Sequence, residues 1–117
     1  MTMTKQWKNI SIIEARTIAE AAARLNLQGF LTDESVTLLR AEVLEAEHCW
    51  MFFRNPEIYV PADSALIGDW AYVVSRYGDV RDVADLYGQQ GLIEYLKKMS
   101  DYFGDRRTRM LTGNLRP

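Results

Sequence analysis

The residues with the most evident chemical capacity are His48-Cys49, an imidazole next to a thiol near the middle of the chain. A thiolate beside a general base is the core of a nucleophilic cysteine site. On a strand, however, neighbouring side chains leave on opposite faces, so this pair is expected to point apart and carry no catalysis. His48 is the only histidine and Cys49 the only cysteine. That leaves no second ligand for a His/Cys metal cluster and no partner for an intrachain disulfide. Cys49 therefore reads as a small buried hydrophobe, which suits a reducing cytoplasm. Glu45 and Glu47 could serve as an acid–base pair, yet two carboxylates flanking a strand reversal read more simply as a solvated rim. Gly88-Gln89-Gln90-Gly91 lacks the spacing and the lysine of a phosphate-binding loop and reads as a strand-to-helix turn. These residues lead to the expectation of no enzyme, no cofactor and no metal.

Two groups point instead to recognition of another protein. The first is acidic: Asp63, Asp69, Asp79, Asp82 and Asp85 fall within one loop and the hairpin that follows it. Carboxylates gathered there can steer a basic partner, although a solvated face is the plainer reading. The second is aromatic: Trp70, Tyr72, Tyr77 and Tyr87 surround the same hairpin and would be binding anchors if exposed, core if not. Asp63, Asp69, Trp70, Asp79, Asp82 and Asp85 are the expected partner-binding residues. The formal net charge is −2, but from Asp33 to Glu94 twelve acidic residues face four basic ones, a net of −8. Such a middle repels nucleic acid. From Gly104 to Pro117 the balance reverses to +3, carried by Arg106, Arg107, Arg109 and Arg116.

The elements that must position these groups are legible from periodicity. With 117 residues, 48% of them hydrophobic, the chain has one domain's worth of core. Ser11-Ile12-Ile13-Glu14 has the form of a capping box, so a helix is expected from there, with Ile12, Ala15, Ile18, Ala22 and Leu25 inward and Gly29 as its stop. The alanines at 15, 19 and 21–23 make its inner surface thin enough to lie close on a sheet. Thr37–Ala46 and His48–Arg54 read as paired strands, the second apolar on both faces and therefore central. Asn55-Pro56 ends it. A loop with a short turn at Ser64–Ile67 leads to a third strand, Trp70–Ser75, and a turn at Gly78-Asp79 to a fourth, Val80–Leu86. Asp82 breaks the inward alternation of Val80, Ala84 and Leu86, which an edge strand would tolerate. Gln89–Phe103 carries Leu92, Tyr95, Leu96, Met99, Tyr102 and Phe103 on one helical face, with Gly104 as the stop. The expected fold is α+β: an N-terminal helix, a four-stranded antiparallel meander and a C-terminal helix packed on the sheet. Residues 1–103 would form the domain and 104–117 a basic, flexible tail. No 18-residue apolar window and no signal-peptide-like apolar run appears, so no membrane association is expected.

The order of motifs resembles the immunity protein 35 family. A leading amphipathic helix is followed by Trp50 with Phe52, then Ala65-Leu66 with Gly68, then Tyr72–Val74, then Gly78 with Val80, and a closing helix. Where that family has a Gly-Asn-Gly-Pro-like passage, this chain reads Gly68-Asp69-Trp70-Ala71. The resemblance covers residues 10–103 and its motifs are mostly structural. It implies a small non-enzymatic bacterial immunity protein that binds and neutralises a cognate toxin, as a monomer or a homodimer. A basic nuclease would suit the acidic middle, whose charge can occupy a cleft built for nucleic acid. The alternative is a small chaperone or regulatory adaptor that holds another protein.

Overall fold

A computed structural model of the chain describes residues 9–31, 33, 35–61 and 70–112. Its order is α1 (Ile12–Leu27), a 3-10 turn (Gln28–Phe30), β1 (Leu39–Glu45), β2 (Cys49–Arg54), β3 (Ala71–Ser75), β4 (Val80–Val83) and α2 (Leu92–Thr112). The four strands form one antiparallel sheet in the order β1-β2-β3-β4, with α1 on one face and α2 on the other. The α+β architecture with a C-terminal helix packed on the sheet is the one expected from periodicity.

Helix α1 begins where the capping box places it. The Glu14 amide donates to Ser11 Oγ at 3.1 Å, and the Ser11 amide donates to Glu14 Oε1 at 2.8 Å. The alanine-lined inner face is the expected one, with Ile18 and Ala22 packed against the core, but Ile12 and Leu25 depart from it. Ala15, Ala19, Ala23 and Leu27 are fully buried, whereas Leu25 is 79% exposed and Ile12 is 41% exposed. The sheet presents Trp50, Phe52 and Tyr72 to the middle of this helix, where alanine methyl groups let the backbone lie close. Gly29 does not act as a left-handed stop; the chain tightens into the 3-10 turn that runs through it.

Strand β2 is buried on both faces, as a two-sided apolar run requires. Trp50 and Phe52 join Tyr72 and Val74 under α1. Cys49, Met51 and Phe53 join Ala71, Val73 and Val83 under α2. Gly78, with φ +97°, makes the β3–β4 turn, and Gly88 and Gly91, with φ +75° and +93°, make the turn into α2. Two boundaries need correction. Strand β4 stops at Val83 rather than Leu86, and its buried member is Val83. Helix α2 runs through Gly104 to Thr112, so residues 104–112 extend the helix and are no loose tail. Gly104 lies within the helix at a point where any Cβ would overlap the His48 imidazole, at 2.5 Å from Nε2. A glycine that a sequence pattern assigns to helix termination serves here as a notch for a side chain from the sheet. Among the described residues, no helix is long and apolar enough to cross a membrane.

Candidate partner-binding edge

Asp79, Asp82 and Asp85 lie along β4 and its two flanks, and β4 is an edge of the sheet. Asp82 pairs across the ladder with Tyr72 and so stands on the α1 face. There Asn26, in the last turn of α1, donates from Nδ2 to Asp82 Oδ2 at 2.9 Å and to the Tyr72 hydroxyl at 3.3 Å. That amide holds the carboxylate in one orientation while the residue stays exposed. Burial, above all, pushes the Tyr72 phenol up to about 12; the Asn26 hydrogen bond opposes this, and the charges of Asp82 and Asp85 add to it. Asp85 accepts from the Tyr87 amide at 3.0 Å and turns the chain out of the strand. The Asp79 amide donates to Ser75 Oγ at 3.0 Å within the β3–β4 turn. Asp63 and Asp69, and the expected turn at Ser64–Ile67, lie outside the described residues.

The aromatic group does not form an exposed set. Trp70 is 8% exposed, with the Phe30 ring edge-on at 6.0 Å, so it is core and not a surface contact. Tyr72 is fully buried. The Tyr77 hydroxyl meets His48 Nδ1 at 3.0 Å beneath the Arg107 guanidinium. Tyr87 stands edge-on to Phe53 at 5.1 Å, with the Arg40 guanidinium 3.8 Å above its ring. Trp70, Tyr72 and Tyr77 are thus taken up by packing, and Tyr87 alone of the four is exposed.

His48 lies just before β2, in the reversal, so strand alternation does not govern its side chain as the sequence suggested. Its imidazole turns to α2, the helix that also covers Cys49. The two groups are kept apart by their partners instead. Nδ1 faces Tyr77 and Nε2 lies 3.7 Å from Glu47 Oε2. Burial pushes the Cys49 thiol up to about 12, against weaker opposing effects from Arg76 and Ser100. It therefore holds its proton, and a thiol is a poor nucleophile. Among the described residues no group of three or more His, Cys, Asp or Glu side chains could hold a metal ion.

The residue that sequence reading missed is Arg76, immediately after β3. From NH2 it donates to Glu45 Oε2 at 2.6 Å and to the Ala46 carbonyl at 2.7 Å, and from Nε to the Glu47 carbonyl at 3.2 Å. Its guanidinium sits 4.2 Å above the Trp50 ring. Glu45 is thus one half of an ion pair. Nothing local to Arg76 signals this, since its partners are some thirty positions away in the chain. No family model, curated protein or solved structure matches the chain, and the likeness to the immunity protein 35 family rests on the residues quoted for it.

Proposed function

We propose that this chain is a toxin-neutralising immunity protein that engages its partner through the acidic β4 edge. The observation that carries the reading is the exposed Asp82 carboxylate on edge strand β4, held by Asn26, with Asp79 just before the strand and Asp85 just after it. Carboxylates on and beside this edge, within a middle section of net charge −8, favour encounter with a positively charged surface such as a nuclease cleft. The order of motifs from Trp50 to Val80 supports the same class. The adaptor reading draws on a different surface, for Leu25 and Tyr59 are 79% and 77% exposed.

The test is the association rate, as a function of ionic strength, with the protein that the neighbouring gene encodes, which this reading expects to be a toxin. Asp79→Asn, Asp82→Asn and Asp85→Asn combined should slow association at low salt by at least about tenfold and flatten its salt dependence, because rim charges act mainly on encounter. Unchanged rates and slopes would rule out this edge as the docking surface. Binding to many unfolded proteins, and none to the neighbouring product, would favour the adaptor.

A further inference from the structure

The two edges of the sheet are finished differently. On β1 the Arg16 guanidinium donates to the Arg40 and Ala41 carbonyls at 3.2 and 3.1 Å, and the register shifts between Leu39 and Val43. A bulge and a seated side chain are devices that block strand addition. Edge β4 has neither among the described residues. Its ladder phase follows from the Ser75 amide, which donates to the Asp79 carbonyl at 2.8 Å. Hydrogen-bonded and non-hydrogen-bonded pairs alternate from there, so Val80 and Asp82 turn their N–H and C=O groups away from β3.

Beside this open backbone lies a groove of about 370 Å³ between β4 and α2, bordered by the strand from Arg81 through Asp82 and Val83 to Ala84 and by Tyr95, Met99 and Tyr102 of the helix. Arg81 NH1 donates to the Tyr102 hydroxyl at 3.0 Å and forms one wall. Asp82 borders the groove through its place in the strand, while its carboxylate is held on the α1 side by Asn26. A strand added here would lean alternate side chains to these two sides, one apolar and one acidic.

We propose that β4 takes up an extended segment of the partner as a fifth, antiparallel strand, with alternate residues apolar in the β4–α2 groove and basic beside Asp82. The idea deepens the proposed function and rests on it for the identity of the partner. Main-chain bonds to Val80 and Asp82 set the register, and the groove and the carboxylate select the alternation. Side chains directly opposite across a ladder share a face, so the amides of the basic residues are the ones that bond to β4.

The experiment uses the full chain and a short capped peptide alternating lysine and leucine, with binding followed by fluorescence anisotropy. The alternating peptide should bind at least about tenfold more tightly than one of equal composition with its lysines grouped before its leucines. Methylating the lysine backbone amides should weaken it at least about tenfold, and methylating the leucine amides by no more than about twofold. Asp82→Asn and Tyr102→Ala should each weaken it severalfold. Equal binding of the grouped peptide would reduce the contact to charge and overturn the proposal, as would tolerance of methylated lysine amides. Loss on methylating the leucine amides instead would overturn the antiparallel register. The peptide variants leave the protein unchanged, so misfolding cannot mimic any of these results. If the neighbouring toxin binds with Asp-dependent salt sensitivity while the peptides show no preference, the strand model falls and the function stands. The reverse pattern keeps the edge and removes the toxin.

Discussion

At the scale of single residues, Gly104 and His48 form a unit. A glycine inside an exposed helix normally lowers stability by about 1 kcal/mol relative to alanine. Here the missing side chain leaves the space into which the His48 ring fits, and the ring in turn meets the Tyr77 hydroxyl. Gly104→Ala should therefore destabilise the protein by about 1–3 kcal/mol through overpacking, the opposite sign to the propensity. In a His48→Ala background the same change should stabilise by up to about 1 kcal/mol. Denaturant titration of the four proteins gives the coupling directly. Stabilisation by Gly104→Ala in both backgrounds would show that the ring does not occupy the notch.

At the scale of elements, Arg76 ties the β1–β2 reversal to the end of β3. Its guanidinium satisfies the Ala46 and Glu47 carbonyls of the turn, which is also tied to α2 through the His48 amide and Ser100 Oγ, and it covers Trp50. The ion pair with Glu45 adds little by itself, since that carboxylate is mostly exposed. Arg76→Ala should cost about 2 kcal/mol, chiefly from the two turn carbonyls and the lost stacking. Arg76→Lys should recover less than half of it, because an ammonium cannot fork between the same acceptors. Glu45→Gln should change stability by less than about 0.5 kcal/mol. A large effect of Glu45→Gln would mean that charge, and not the fork, holds the reversal.

At the scale of the whole molecule, the sheet is buried between two helices, and two groups with dissociable protons are buried with it. Cys49 is raised from 9.0 to about 12 and Tyr72 from 10.0 to about 12. The folded state keeps these protons after the unfolded chain has released them, so stability falls as pH rises from about 9 to about 12. Cys49 governs the first part of that window and Tyr72 joins it above about 10. Cys49→Ala should move the onset of alkaline destabilisation from about pH 9 to about pH 10, read as the pH dependence of the unfolding midpoint. The same onset in both proteins would place the thiol in contact with solvent.

The capping box, the two-sided apolar run of β2 and the glycine turns were legible in the sequence because each signal acts within a few residues of itself. Those signals are enough to specify a helix, four strands in order and a second helix. Distance along the chain hides the rest. That Leu25 and Ile12 would stand off the sheet beside the expected alanine surface depends on where Trp50, Phe52 and Tyr72 come to lie, on strands far away in sequence. That Trp70 would be core while Asp82 stayed at the surface depends on where Phe30 and Asn26 come to rest. Gly104 reads as a stop until His48 is brought against it. Asp82 could be named from sequence, but only the ladder of β4 on β3 decided that its backbone turns outward from the sheet edge, because register is a property of paired strands and not of either one alone.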